Sequence, residues 1–337
     1  MLTIIFVLMQ KFLIIQTAFI GDAVLATGII EKIHATYPNA SIDYLVRNGN
    51  QSLFNHHPFI NQVLVWDKQQ HKYSNLFKLI FKIRKNRYDV LINVQRFAAT
   101  GFITALSKAK MKIGFNKNPF SFLFDVKVKH NVDNGLHEIE RNQLLIESIC
   151  SGDAHKPKLY PSQLDEDFIS KYINGNFITI APASVWFTKQ FPSQQWLKLI
   201  NELPKNFIIY LLGGKSDIEL CSIIKNYCKH KNVVNLAGQL NFLQSAALMK
   251  HAVMNYVNDS APMHFASAVN AATCAVFCST IPSFGFGPLS NQSYVVEIAK
   301  KLSCRPCGLH GKKYCPEGHF NCANEIKTAQ LLEVLSV

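Results

Sequence analysis

The chain has 337 residues, 48% apolar and 17% charged, which at about 150 residues per domain suggests two domains and excludes a disordered tail, a collagen-like chain or a coiled coil. Thirty-five Lys and Arg against 22 Asp and Glu give a net charge of +13, so anionic partners come first: nucleic acid, phosphorylated lipid or sugar, or a membrane face. That charge is concentrated in residues 67–130, where fourteen bases stand against Asp67, Asp89 and Asp125.

The first thirty residues are apolar, but no base precedes the run, and Lys11 and Asp22 interrupt it. It therefore reads neither as a signal peptide nor as a membrane span of about 20 apolar residues, and 11–17 is expected to be a buried strand. Met9 is an alternative start that would make 1–8 an extension.

Short apolar runs at 11–17, 41–46, 62–66, 88–94 and 111–115 read as strands, with helices expected over 22–37, 74–87, 97–109 and 136–149. After Gly152 and Pro157 the chain reaches Pro161 and an acidic LDED run, so 161–175 reads as a linker. Strands are expected again at 176–184, 206–214, 233–238, 252–259 and 272–278, with helices between. Two doubly wound α/β units follow, and in such sheets ligands bind beyond the carboxyl ends of the strands.

Four loops there carry chemistry. Gln16 to Asp22 turns at Gly21 and puts Asp22 at a helix start, where it either caps the helix or offers a carboxylate; no GxGxxG accompanies it, which argues against a dehydrogenase. Lys189, just before Pro192, is either a solvated surface charge or a contact for a phosphate. Gly213-Gly214-Lys215 is either a plain turn or a close backbone approach to a ligand. In Asn258-Asp259-Ser260-Ala261-Pro262-Met263-His264, small residues open a helix whose N–H groups suit a phosphate, although Ser260 to Pro262 also makes an ordinary helix cap.

On a helical wheel of 74–87, Lys78, Lys82 and Lys85 fall opposite Leu76, Ile80 and Ile83, as in a helix lying on an anionic surface or simply facing water. Arg96 follows a strand and is a candidate for acceptor phosphates or carboxylates. Five cysteines, Cys150, Cys221, Cys228, Cys274 and Cys278, fall in expected helices or strands and read as small apolar residues. Cys304, Cys307, Cys315 and Cys322 cluster instead. They form either a packed loop or a weaker alternative, a tetrahedral metal site with His310 and His319 in reserve; the second CxxC of a zinc ribbon is missing.

In this order, FLIIQTAFIGDAVLATG, YDVLINVQRFAAT, HEIERNQLLIE, APASVWFTKQFP, LLGGKSD, the run from NLAGQLNFLQ to NDSAPMHFASA, and CRPCGLHGKKYCPEGHFNC resemble the lipopolysaccharide heptosyltransferases of glycosyltransferase family 9 across nearly the whole chain. The resemblance implies a GT-B fold, two Rossmann-like domains facing across a cleft: 1–160 on the acceptor side, 176–322 binding the nucleotide sugar and carrying the Cys-rich segment 304–322, and a C-terminal helix over 323–337 packing back. It implies inverting transfer of a heptose from ADP-heptose to the lipopolysaccharide inner core, with no cofactor or catalytic metal, by a cytoplasmic enzyme peripheral to the inner membrane. By motif position Asp22 matches the general base and Lys189 the lysine on the donor diphosphate, while Ser184, Asp259, Ser260, Ala261 and His264 match donor contacts. Ala261 departs from the family's usual Gly, which leaves the same fold with another nucleotide-sugar donor as an alternative. Outside that class stand a basic nucleic-acid-binding protein, for which no accompanying motif is present and which is not expected, and a sugar-nucleotide binder without catalysis.

Overall fold

The computed structural model describes residues 10–68, 72–132 and 135–335; the alternative start at Met9 and the extension 1–8 lie outside the described residues. The chain divides into two compact units, Met1–Asn134 with Glu138–Tyr160, and Gly135–His137 with Pro161–Val337.

In the N-terminal unit six strands, β1 (Lys11–Gln16), β2 (Ser41–Arg47), β3 (Ile60–Trp66), β4 (Val90–Asn93), β5 (Met111–Phe115) and β6 (Val126–Val128), pair in parallel in the order β3-β2-β1-β4-β5-β6. The helices are α1 (Ile20–Leu25), α2 (Thr27–Thr36), α3 (Lys72–Asn86), α4 (Ala98–Leu106) and α5 (Glu138–Ile146). Phe12 to Ile15 are fully buried, as expected of a central strand covered on both faces. The helix expected over 22–37 is broken at Ala26 into α1 and α2. Gly28, to which the sequence attaches no role, lies where a Cβ would strike the carbonyl oxygen of His155, so its need is a close backbone approach. In α3, Leu76, Leu79, Ile80 and Ile83 are buried and Lys78, Lys82 and Lys85 exposed, as the wheel predicts.

The C-terminal unit begins inside the segment read as a linker. There α6 (Gln163–Ile169) is capped by Ser162, whose side chain accepts from the Asp165 amide while the Asp165 carboxylate accepts from the Ser162 amide. Its sheet contains β7 (Phe177–Ala181), β8 (Ile208–Leu211), β9 (Val233–Asn235), β10 (Met254–Asn258), β11 (Thr273–Phe277) and β12 (Ser293–Glu297). The parallel order β9-β8-β7-β10-β11-β12 repeats that of the first sheet. Around it run α7 (Ser193–Glu202), α8 (Ile218–Tyr227), α9 (Phe242–His251) and α10 (Ala261–Ala268). The C-terminal helix expected over 323–337 is two short ones, α11 (Asn321–Asn324) and α12 (Thr328–Glu333), whose Leu331 joins the core with Trp196, Ile200 and Tyr256. α6 packs on α9, where Glu166 and His251 stand 2.9 Å apart.

Each sheet changes direction beside its first strand, so the loops after β1 and β4, and after β7 and β10, open at the place where such sheets bind ligands.

Candidate active site

In the C-terminal unit the loop after β7 carries Ser184, half-buried, and ends in a single 3-10 turn, Phe187–Lys189. Pro192 stands immediately before α7 and fixes where that loop stops. Asn258, the last residue of β10, holds the loop at both ends. Its Nδ2 donates to the Pro182 carbonyl at 2.9 Å, and its Oδ1 accepts from the Phe191 amide at 2.9 Å.

The next residue, Asp259, accepts from the Lys189 ammonium at 2.7 Å and from the Thr280 hydroxyl at 2.6 Å. Lys189 keeps 18% of its side chain accessible and Asp259 only 6%, so the cation is the member of the pair that a ligand can reach. Behind Asp259 starts α10, with Ser260 at its cap in extended conformation and Pro262 in its first turn. The Ser260 hydroxyl turns to the Asn258 carbonyl at 3.4 Å, Pro262 has no N–H and the Met263 amide donates to the Ser260 carbonyl, so the amides of Ser260 and Ala261 are the ones that remain for a ligand at this helix start. His264, one turn on, is buried, and its Nδ1 has no hydrogen-bond partner within the protein. Burial first, then the charges of His137 and Lys189, hold its pKa down to about 3, so its ring is neutral at ordinary pH. Lys189, Asp259, Ser260, Ala261 and His264 are thus brought together where β7 and β10 end: a cation, the amides of Ser260 and Ala261 and a neutral imidazole, a set suited to the phosphates of a nucleotide.

Sequence reading missed the supports of this set. Thr188 accepts on its hydroxyl from the Lys312 amide at 2.8 Å and from the Ser279 hydroxyl at 3.0 Å, and its own amide donates to the Lys312 carbonyl. Arg305 donates to the carbonyls of Cys278 and Thr280, both at 2.7 Å, and to the Glu297 carboxylate at 2.6 Å. The Cys-rich segment therefore straps the loop after β11 to the loop of Lys189. A Cβ on Gly311 would strike Trp186 and lie 2.7 Å from Lys189 Cγ. The chemical signal was a polar side chain at each bend, which spacing alone does not mark. All nine cysteines are free thiols, and burial pushes those of Cys221, Cys274 and Cys322 up to about 12. Cys304 Sγ and His319 Nε2 are 4.0 Å apart, but among the described residues no group of three or more His, Cys, Asp or Glu is arranged to hold a metal ion. The metal alternative for Cys304, Cys307, Cys315 and Cys322 gains nothing from this arrangement.

In the N-terminal unit Asp22 is the third residue of α1 and half-buried; the helix begins two residues earlier than expected, at Ile20. The loop before it is tied by Gln16, whose Oε1 accepts from the Ala18 amide at 3.2 Å and from Gln95. The Lys68 ammonium reaches the Thr17 carbonyl at 2.8 Å. Arg96 is half-buried in the loop after β4, which Asn118 holds by donating to the Gln95 and Phe97 carbonyls at 3.1 Å each. Burial first, then the charges of Arg96, Lys117 and Arg141, hold the pKa of His130 down to about 4. Arg141 is itself buried and paired with the Glu138 carboxylate at 2.9 Å.

A family model described as glycosyltransferase family 9 (heptosyltransferase) matches residues 76–316. The chain is similar to lipopolysaccharide heptosyltransferase 3 of Escherichia coli, 26% identical over 81% of this chain and 85% of that one. Among solved structures it is similar to ADP-heptose lps heptosyltransferase II of E. coli, with a TM-score of 0.81, 19% identity and coverage of 97% and 98%. It also resembles the E. coli heptosyltransferase WaaC with ADP, with a TM-score of 0.76, 16% identity and coverage of 97% and 99%.

Proposed function

The chain belongs to glycosyltransferase family 9 and is a glycosyltransferase of GT-B fold, and from that premise we propose that it transfers a heptose from ADP-heptose to the inner core of lipopolysaccharide. The observation that carries the donor half of this reading is the Lys189–Asp259 pair set at the start of α10, because it presents a reachable cation beside the amides of Ser260 and Ala261.

In this reading the donor diphosphate accepts hydrogen bonds from Lys189 and from the first amides of α10. As the bond from the anomeric carbon to the diphosphate breaks, negative charge grows on the leaving ADP, and each well-placed donor there is worth roughly 3–4 kcal/mol in the transition state. Asp259 keeps the ammonium in position, and Thr280 keeps Asp259 in position. Neutral His264 offers its unpartnered nitrogen without adding charge. Asp22 takes the proton of the acceptor hydroxyl as it attacks, which with an opposite-face approach inverts the anomeric centre. Arg96, half-buried on the loop after β4, suits an anionic group of an inner-core acceptor. No step calls for a metal or an organic cofactor. In this reading the acceptor is lipid-linked, and the enzyme works in the cytoplasm at the inner face of the inner membrane.

Ala261 supports one variant of this reading. A methyl in the first turn of α10 narrows the approach to the amides, so a donor other than ADP-heptose is the alternative. Incubation with ADP-heptose and heptose-deficient core oligosaccharide, read by mass spectrometry and by the anomeric configuration of the product, tests both. Gain of one heptosyl group with inversion supports the proposal; transfer only from uridine or guanosine donors replaces the sugar assignment.

A further inference from the structure

Helix α3 buries one face, Leu76, Leu79, Ile80 and Ile83, yet a second stripe of large apolar side chains faces water. Tyr73, Phe77 and Phe81, one turn apart, are 71%, 50% and 70% exposed. Beside that stripe stand Lys78, Lys82 and Lys85, also exposed, and the helix contains no acidic residue. The apolar surface continues off the helix. The Phe77 ring meets Phe102 of α4 at 6.5 Å between centroids, Phe102 meets Phe120 at 5.8 Å, and Phe120 meets Phe122 at 6.4 Å. Phe122 at the far end is 70% exposed.

Water is a poor partner for such a face, since burying each ring is favourable and scattered exposure does not explain a connected row of rings. A nucleic acid would pair with the lysines but leave a helical stripe of three rings with nothing to enter. An anionic bilayer suits both components: lysines meet lipid phosphates while aromatic rings settle at the boundary between headgroups and acyl chains. Among the described residues no helix is long and apolar enough to cross a membrane, so the contact is one of surface and not of span.

We propose that the face formed by Tyr73, Phe77, Phe81 and Phe122 with Lys78, Lys82 and Lys85 is a docking surface for an anionic lipid bilayer. It deepens the proposed reading of a lipid-linked acceptor by naming the part of the chain that holds the membrane, and it predicts binding without any acceptor present. Each lysine held near an anionic surface contributes about fivefold to binding, so reversing two of them costs at least tenfold. The rings contribute through burial, a part that salt does not screen.

The test is co-sedimentation of the full chain with vesicles of mixed phosphatidylglycerol and phosphatidylcholine, and with vesicles of phosphatidylcholine alone. Wild type is expected to sediment with the anionic vesicles. Phe77→Ser/Phe81→Ser and Lys78→Glu/Lys82→Glu are each expected to lose at least tenfold in binding while melting like wild type. Both variants are expected to transfer to a lipid-free core acceptor at the wild-type rate, so failure of docking and failure of the transfer reading are read separately. Absence of sedimentation with anionic vesicles overturns the proposal, as does binding that both variants retain. A concentration-dependent dimer abolished by the aromatic variant assigns the face to a second copy of the chain and overturns it equally.

Discussion

The two sheets share one strand order, yet their carboxyl ends are furnished in opposite ways. At the end of the second sheet, charge is paired and sunk: Asp259 is 6% accessible and engaged by both Lys189 and Thr280, and Asn258 ties the surrounding loop. At the end of the first, Asp22 in the first turn of α1 and Arg96 on the loop after β4 are both half-buried. The difference teaches what each end is built to do. A fixed, pre-paired arrangement suits a ligand of constant shape such as a nucleoside diphosphate, whereas a more accessible carboxylate suits a proton transfer to an acceptor that must come and go.

Replacing Asp22, the proposed proton acceptor, is the strongest way to break this division. Asp22→Asn is expected to lower kcat by about 10²–10⁴ while leaving ADP affinity at the wild-type value, by steady-state kinetics and calorimetry. Lys189→Ala acts on the other side. It is expected to lower kcat by about 10²–10³ and to weaken ADP as well, and a variant with unchanged ADP affinity would remove Lys189 from the donor site.

Asn258→Ala tests whether the second end is pre-built. It leaves the Phe191 amide and the Pro182 carbonyl without their partner, an expected loss of about 2–4 kcal/mol in denaturant unfolding. A smaller effect follows acidification. The pKa of His264 is held to about 3 and that of His130 to about 4, both mainly by burial, below the ordinary 6.5. Between those values and 6.5 the unfolded chain binds protons that the folded chain refuses, so stability is complete above pH 6.5 and falls as pH drops toward 4. Melting curves taken across that range check it, and His264→Gln is expected to flatten part of the slope. The smallest change is Ala261→Gly, expected to tighten the donor by a few-fold at most, read as KM for ADP-heptose.

Much of this architecture is legible in the residues. Among the described residues, ten of the twelve strands announce themselves as apolar runs, and the two that do not, β6 and β12, are edge strands, VKV and SYVVE, in which polar residues interrupt the pattern. The segment 161–175 reads as a linker from Pro161 and its acids, although one of those acids, Asp165, completes the cap of α6 with Ser162. The site residues stand out singly because each lies just past a strand. Their pairing is not legible: Lys189 and Asp259 lie far apart in the chain, and only parallel pairing of β7 with β10 brings them together. Gly28 shows the same limit, since the His155 carbonyl that forbids a side chain there comes from a distant segment.

Calorimetric titration of ADP into the wild type, Asp22→Asn and Lys189→Ala tests the division between the two ends most directly. The account predicts equal binding by wild type and Asp22→Asn, and binding at least tenfold weaker by Lys189→Ala, with uridine and guanosine diphosphates binding more weakly than ADP throughout. Loss of ADP binding in Asp22→Asn, or full retention in Lys189→Ala, would contradict it.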